Sequence, residues 1–244
     1  MERTEYLRMA VLEDSLWWYQ ALHAALADQL NAANIVPGAH VLDAGCGTGG
    51  LLRHLAAARP DLILSGVEID LEAAAIAARK TSAAVTTGSV NNLPYPDTCF
   101  DVVVSADVLC HATVEQRAAL AELRRCLKSD GMLLLNLPAY HWMLSAHDRH
   151  VHTVRRYTAG EASELVTASG FRVVKAFYRN SLLFPLMLLY RLTVGRQQTS
   201  SDVRAIPAVQ NKLFLAIITA ERKLQRYGFR LPFGGSVLIE ARKS

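Results

Sequence analysis

The feature that most constrains this chain is the segment 41–50, which reads VLDAGCGTGG. A short apolar stretch ends at an acid, Asp43, and continues into a loop rich in glycine. Residues 51–55, LLRHL, then have helical character. Glycine lets the backbone approach a ligand closely, and a helix N-terminus offers unpaired N–H groups. The segment therefore predicts a strand, a loop and a helix that together cradle a nucleotide.

Two classes of nucleotide compete for this cradle. Gly45, Gly47 and Gly50 satisfy the dinucleotide pattern G-x-G-x-x-G, and Glu68 follows at the distance of roughly 20 residues expected of a ribose-binding acid. Asp43 argues against a dinucleotide, because its carboxylate would repel a pyrophosphate held over the loop. S-adenosylmethionine carries a sulfonium and an ammonium and no phosphate, so a carboxylate at the loop mouth attracts it.

Apolar runs alternate with helical patterns through the middle of the chain. The near-continuous apolar runs 62–68 and 100–105 predict strands of a parallel sheet that is covered on both faces. Residues 132–137 and 236–241 predict two further strands, and 114–128 an amphipathic helix. This alternation predicts an α/β fold with a doubly wound sheet and right-handed crossovers.

Several segments resemble one family of enzymes. The run D-x-G-x-G-x-G that starts at Asp43 resembles motif I of the class I S-adenosylmethionine-dependent methyltransferases, and segments 66–70, 90–94, 100–111 and 127–132 resemble its later motifs. The overall pattern is similar to the type 11 group, which includes quinone-biosynthesis methyltransferases. The resemblance implies a Rossmann-like, doubly wound, seven-stranded sheet in the strand order of that class. Its last strand is antiparallel, and the fold adds N-terminal helices and a helical insertion before that strand.

The resemblance also implies the cofactor and its ligands. The cofactor is S-adenosyl-L-methionine, and the product is S-adenosyl-L-homocysteine. Glu68 matches the acid that accepts hydrogen bonds from both ribose hydroxyls. The full set expected at the cofactor is Asp43, Ala44, Gly45, Cys46, Gly47, Gly49, Glu68, Ile69, Ser89, Val90, Asn91, Ser105, Ala106 and Asp107.

Candidate catalytic residues lie just past the strand ends. Methyl transfer needs proximity, alignment and exclusion of water, and it needs a base only when the nucleophile must lose a proton. His147 beside Asp148 is the first choice for that base, with a solvated loop as the alternative. His111 is either catalytic or part of the cleft wall, and Tyr140 completes the set. No metal is expected, because the spacing of the acids and histidines in 147–152 matches no compact zinc site.

Three segments outside the predicted sheet are expected to cover the site. Residues 1–34 are expected to form an N-terminal helical cap, and 35–244 the S-adenosylmethionine-binding domain, with substrate-covering insertions at 139–158 and 181–232. The aromatic segment 17–19 either docks on the core or forms a lid over an apolar or aromatic substrate. Basic residues beside apolar helices in the later insertion indicate a lid over a lipophilic substrate, a peripheral membrane contact, or a plain dimer or core-covering surface.

Composition indicates which partners and which cellular compartment to expect. The formal net charge of +4 is too small to indicate a nucleic-acid partner. The four cysteines show no C-x-x-C spacing, so reduced thiols in the cytoplasm are expected. The charged N-terminus lacks a signal-peptide pattern, and no apolar run is long enough to span a bilayer. We expect a cytoplasmic protein, either free or in peripheral contact with a membrane, and either a monomer or a homodimer.

The sequence thus predicts methyl transfer from S-adenosylmethionine to a small hydrophobic or aromatic acceptor, on oxygen or carbon. An NAD(P)-dependent oxidoreductase is the first alternative, disfavoured by Asp43 and by the lack of a Tyr-x-x-x-Lys pair. A non-catalytic, cofactor-binding assembly protein is the second. Nucleic-acid methylation is disfavoured, because the chain has no N/D-P-P-Y/F motif.

Overall fold

A seven-stranded sheet forms the centre of the computed structural model, which describes residues 3–193 and 206–244. Its strands are β1 (His40–Ala44), β2 (Ile63–Glu68), β3 (Ala84–Thr87), β4 (Phe100–Ala106), β5 (Leu127–Pro138), β6 (Phe171–Arg179) and β7 (Ser236–Lys243). They lie in the order β3-β2-β1-β4-β5-β7-β6. Strands β1 to β5 pair in parallel, whereas β7 runs antiparallel to β5 and β6. The predicted fold class is therefore confirmed, including its antiparallel last strand.

Helices connect these strands and cover both faces of the sheet. In chain order they are α1 (Arg3–Leu12), α2 (Trp17–Ala32), α3 (Gly50–Ala58), α4 (Leu71–Lys80), α5 (Gln116–Cys126), α6 (Ala146–His150), α7 (Ala159–Ala168), α8 (Phe184–Thr193) and α9 (Ala208–Arg226), with a 3-10 turn at His141–Met143. Within the described ranges, none of them is long and apolar enough to cross a lipid bilayer.

The hydrophobic core lies on the two faces of the sheet. Side chains alternate between faces along a strand, and in β4 Val103 packs into one buried cluster while Val102 and Val104 pack into the other. All three side chains are fully buried. This two-sided burial explains the continuous apolar runs of the sequence, and it leaves the carboxyl ends of the parallel strands as the edge at which a ligand meets the sheet.

The helical insertion before β7 packs against the N-terminal helices. Ile218 of α9 forms a small buried cluster with Ala21 of α2 and with Leu183. Trp17 meets Phe214 of α9 edge-on, with 5.5 Å between the ring centroids. The two chain segments that the sequence predicted as coverings therefore support each other on one side of the molecule. Residues 194–205 of the predicted insertion lie outside the described residues.

Candidate functional site

A cavity of about 430 Å³ lies at the carboxyl ends of the central strands, in the size range of small-molecule sites. The glycine loop after β1 forms one wall, and α1, α2 and the segments after β4 form others. The structure brings ten of the predicted cofactor residues to this cavity: Asp43, Gly45, Cys46, Gly47, Glu68, Ile69, Ser89, Val90, Ala106 and Asp107.

Three of the remaining predicted cofactor residues support the loop from behind the cavity wall. Ser105 Oγ donates a hydrogen bond of 2.8 Å to the carbonyl oxygen of Ala44. Gly49 precedes α3 with a φ of +89°, and a Cβ there would lie 3.0 Å from the backbone of Ala77 in α4. These contacts position the glycine loop between β1 and its neighbours.

Asn91, the last predicted cofactor residue, ties two loops together. Its side-chain amide donates to the carbonyl oxygen of Thr113 at 3.0 Å and accepts from the backbone N–H of Glu115 at 3.0 Å. Its own N–H donates to Ser89 Oγ at 3.2 Å. Asn91 thus fixes the loop after β3, which places Ser89 and Val90 on the cavity wall.

Besides Gly49, two further glycines of the loop adopt positive φ and lie close to neighbouring elements. Gly45 has a φ of +86°, and a Cβ there would lie 2.3 Å from Val108 Cγ2. Gly47 has a φ of +54°, and a Cβ there would lie 2.6 Å from Met9 Cε. Only glycine combines this backbone conformation with such close neighbours. The loop therefore lies flat against both the β4 end and α1.

Glu68 is held in a fixed orientation at the end of β2. One of its oxygens accepts from the backbone N–H of Gly47 at 2.9 Å. The other accepts from the N–H of Asp70 at 3.0 Å and from the Tyr6 hydroxyl at 3.1 Å. The side chain is 5% exposed. This preorganised carboxylate suits recognition of two adjacent hydroxyl groups.

Asp43 is a buried acid at the end of β1. Burial, together with the negative charges of Glu68 and Glu13, raises its pKa to about 8. A carboxylate among other carboxylates in a cavity favours a cationic ligand, because a positive charge relieves the repulsion that raises the pKa. The cradle therefore has the polarity that a sulfonium and an ammonium need.

Glu13 is a functional side chain that the sequence analysis missed. Its carboxylate accepts from Thr48 Oγ1 at 2.5 Å and from the N–H of Gly50 at 3.0 Å, and it pairs with Lys80 at 2.7 Å. It thereby caps the first turn of α3, where the helix dipole favours an anion. Because this cap comes from the segment between α1 and α2, no local pattern near the glycine loop signals it.

Asp107 follows β4 and faces the cavity with a left-handed backbone, at a φ of +56°. Its carboxylate accepts from Asn136 Nδ2 at 3.0 Å, and Asn136 Oδ1 in turn accepts from Arg179 Nη1 at 2.8 Å. Burial raises the pKa of Asp107 to about 6, although Asn136 and the positive charges of Arg179 and Arg156 oppose that rise. A cavity carboxylate with such a pKa is suited to accept a proton near neutral pH.

His111 and Asp148, two of the predicted catalytic residues, also line the cavity. Burial lowers the pKa of His111 to about 4, so its imidazole is neutral near neutral pH. Asp148 pairs with Arg156 at 2.7 Å and with Arg191 at 3.4 Å. Burial works to raise the pKa of Asp148, but the two arginines outweigh it and hold that pKa below its usual value. Asp148 is thus engaged with cations.

Of the other two predicted catalytic residues, only Tyr140 has a described side chain. Tyr140 stacks between Tyr178 and Trp142, at centroid distances of 5.3 and 5.4 Å, and is not part of the cavity wall. His147 belongs to α6, but its side chain lies outside the described residues. In the part of the chain that the structure describes, no group of three or more histidine, cysteine or acidic side chains is arranged to hold a metal ion.

The remaining cavity wall is largely apolar and aromatic. Trp17, Trp18 and Tyr19 line it from α2, and Met187 and Ile206 line it from the insertion before β7. Trp17 also packs on Phe214, so the aromatic segment contacts both the core and the cavity. The acidic cradle and this aromatic chamber are parts of one continuous cavity.

Comparisons with known proteins find methyltransferases. The family described as "Methyltransferase domain" matches residues 42–135. A malonyl-[acyl-carrier protein] O-methyltransferase of Herminiimonas arsenicoxydans is 32% identical over 176 residues, which cover 70% of this chain and 66% of that protein. The O-methyltransferase cnsE of Penicillium expansum is 25% identical over 202 residues, covering 76% of this chain and 72% of that protein.

Solved structures share the fold at low sequence identity. A geranyl diphosphate methyltransferase bound to geranyl diphosphate and sinefungin is 15% identical, with a TM-score of 0.62 over 91% of this chain and 78% of that one. The [4+2]-cyclase SpnF is 23% identical, with a TM-score of 0.64 over 98% and 92% of the two chains. A curated relative from Methanocaldococcus jannaschii is 30% identical, and the chain spans 57% of its length.

Proposed function

Because this chain belongs to the class I S-adenosylmethionine-dependent methyltransferases, we propose that it transfers a methyl group from S-adenosylmethionine to a small acceptor molecule. One observation carries this proposal. The acidic glycine-loop cradle opens into an aromatic chamber within a single cavity at the carboxyl ends of the central strands. Such a cavity holds a cationic nucleoside and an apolar acceptor side by side, as in-line transfer between them requires.

In this proposal the cradle residues bind the cofactor, which supplies an electrophilic methyl carbon. Glu68 accepts hydrogen bonds from the ribose hydroxyls, and Asp43 balances the positive charge of the cofactor. Ser89 and Val90 border the adenine side. The preorganisation of Glu68 by two backbone N–H groups supports the first assignment, and the raised pKa of Asp43 supports the second.

The acceptor in this proposal is hydrophobic or aromatic. Trp17, Trp18 and Tyr19 offer aromatic faces to it, and Met187 adds an adaptable apolar side chain. Transfer to oxygen is favoured over transfer to carbon, because two of the relatives described above are named as O-methyltransferases. The helices α1 and α2 act as the cap of the site, and the insertion before β7 acts as its outer cover.

The insertion also offers a surface for a peripheral membrane contact. Val209, Leu213 and Leu224 of α9 are 80%, 56% and 45% exposed, and they recur at helical spacing along its outer face. The exposed Lys212 and Lys223 lie beside them. An apolar helical face flanked by lysines suits the surface of a bilayer that contains anionic phospholipids.

Methyl transfer with a labelled donor tests the proposed function. The purified protein is incubated with S-adenosylmethionine carrying a trideuterated methyl group and with phenols, quinols, carboxylic acids and amines, and products are identified by mass spectrometry. We expect a deuteromethylated product and an equal amount of S-adenosylhomocysteine. Binding of S-adenosylhomocysteine without methylation of any compound would instead support the non-catalytic alternative.

A further inference from the structure

We propose that the group methylated is a hydroxyl and that Asp107 is the base that takes its proton, with Asn136 and Arg179 as positioning residues. This inference rests on the proposed function and names the chemistry of its acceptor. It assigns Asp107 to the acceptor side of the cavity as well as to the cofactor side that the family resemblance implies.

Asp107 is held in a fixed position at the cavity wall. Asp107 comes directly after β4, where its backbone φ of +56° turns the side chain out of the strand. The hydrogen bonds from Asn136 to Asp107 and from Arg179 to Asn136 form a continuous chain, in which Asn136 and Arg179 are buried. Arg179 is itself anchored on the carbonyl oxygen of Ala21 in α2 at 3.0 Å. The carboxylate is therefore fixed from the sheet side while Asp107 lines the cavity.

The cavity wall also contains buried hydrogen-bond acceptors that have no partner in the described part of the protein. Among the described residues, His111 Nδ1 and Asn180 Oδ1 are buried atoms without a hydrogen-bond partner, and both residues line the cavity. His111 is neutral and bonds to the backbone at Val151 and His152, which leaves Nδ1 as an acceptor. The third such atom, Arg179 Nε, belongs to the positioning chain behind the wall.

These unpartnered hydrogen-bond acceptors favour a ligand that carries hydrogen-bond donors. Buried polar atoms are satisfied in the functional state of a protein, so these two atoms take their partners from bound water or from the ligand that replaces it. A hydroxyl compound supplies donors, whereas a carboxylate near neutral pH supplies none. The guanidinium of Arg156 does not offset this polarity, since its Nε and Nη2 both donate to Asp148.

The electrostatics around Asp107 suit a base. The charged and titratable groups that act on it or respond to it are Arg179, Arg156, Asp148, Cys110 and Tyr19. Their balance with burial leaves its pKa at about 6, so it is ionised at neutral pH and still basic. The acceptor oxygen forms its bond to the methyl carbon as the carbon–sulfur bond breaks. The electron pair of that bond goes to sulfur, and the hydroxyl proton goes to Asp107, which returns it to water.

Binding of matched compounds tests the donor requirement without turnover. 2-Naphthol and 2-methoxynaphthalene differ in that a methyl group replaces the hydroxyl proton, so only the first can donate a hydrogen bond. Both are titrated into the complex of the protein with S-adenosylhomocysteine, and matched hydroxyl and methoxy compounds with one and three aromatic rings are titrated in the same way. We expect the hydroxyl member to bind at least about tenfold more tightly. Asp107→Leu should bring the ratio to within about twofold, whereas Thr113→Val, a control at the same cavity, should keep it. Equal affinities throughout, or a ratio unchanged in Asp107→Leu, would overturn the proposal.

The pH dependence of turnover tests the base. With a hydroxyl acceptor, kcat should rise with pH through a midpoint near the Asp107 pKa, because only the ionised carboxylate accepts a proton. Asp107→Asn should lower kcat roughly 100- to 10,000-fold and remove the rising limb, at a concentration of S-adenosylmethionine that saturates the variant. Methylation of a carboxylate, an amine or a carbon with no hydroxyl product would overturn the inference while leaving methyl transfer intact.

The positioning residues Asn136 and Arg179 are tested by the midpoint of the pH profile of kcat. Asn136→Ala removes the N–H that stabilises the ionised Asp107, so its pKa should rise and the limb of the pH profile should move to higher pH. Arg179→Met removes a positive charge and should move the limb in the same direction. A fall in kcat with an unchanged midpoint in both variants would show a merely structural role and would contradict the positioning chain.

Discussion

At the scale of single residues, Asp43 links the chemistry of the cavity to the stability of the protein. Its pKa is about 8 in the folded protein and about 4 in an unfolded chain, so the folded state binds the proton more strongly. Stability should therefore fall as pH rises from about 4 to about 8. We expect Asp43→Asn to raise Tm by about 2–4 °C or more near pH 8 in thermal unfolding, and to weaken binding of S-adenosylmethionine.

Asp101 gives the control for this prediction. It lies at the opposite end of the sheet from the cavity, in the first part of β4, where Lys128 holds its pKa below the usual value against the effect of burial. Asp101→Asn should therefore have the opposite sign and lower Tm at neutral pH. If Asp43→Asn destabilises the protein as pH rises, the proposed repulsion among the cradle carboxylates is wrong.

Some residues of the site could be predicted from the sequence and others could not. Asp43 and Glu68 are recognisable because their spacing from the glycines is a local pattern. The cap from Glu13 and the chain behind Asp107 are not, because they join residues far apart in sequence. Asn136 lies in β5 and Arg179 at the end of β6, and only the strand order brings them together.

At the scale of elements, Glu13 fastens the N-terminal helices to the cofactor cradle. Glu13→Gln removes its pairing with Lys80 and weakens the cap on α3, so it should lower the free energy of unfolding by about 1–2 kcal/mol in urea titrations. Limited proteolysis should cut the variant faster between α1 and α2, because the segment is less firmly held.

Asp14→Asn is the matched control for that variant. Asp14 pairs with Arg53 and Lys80 but is 39% exposed, so its loss should change the free energy of unfolding by less than about 0.5 kcal/mol. Equal effects of the two variants would contradict the capping role of Glu13.

The ends of helices and strands could be predicted where the sequence contains a clear capping residue. Helix α4 begins after Asp70, whose side chain accepts from the N–H of Ala73 at 2.9 Å as an N-cap. Strand β5 begins at Leu127 rather than at residue 132, and its register with β4 shifts early in the pair. Asp130 there has a φ of +55°, so the segment SDG bends within the strand. Turn-forming residues alone do not distinguish such a bend from a loop.

At the scale of the whole molecule, α9 presents an apolar outer face that the sequence suggested only through its composition. If this face meets a membrane, the double variant Lys212→Glu with Lys223→Glu should reduce binding to phosphatidylserine-containing vesicles at least about tenfold in co-sedimentation. Binding of the unmodified protein should also weaken as salt rises. The control, Arg79→Glu with Arg117→Glu, makes the same charge change on α4 and α5. An equal loss in both, or no vesicle binding, would contradict the membrane contact.

The cradle should bind S-adenosylmethionine, and calorimetric titration tests this most directly. S-adenosylhomocysteine, NADH and NADPH are each titrated into the purified protein and into Glu68→Ala. We predict that S-adenosylhomocysteine binds and that the two nicotinamide cofactors do not. Glu68→Ala should weaken that binding by at least about tenfold, since two hydrogen bonds to the ribose are lost. Binding of NADH or NADPH in place of S-adenosylhomocysteine would contradict the account.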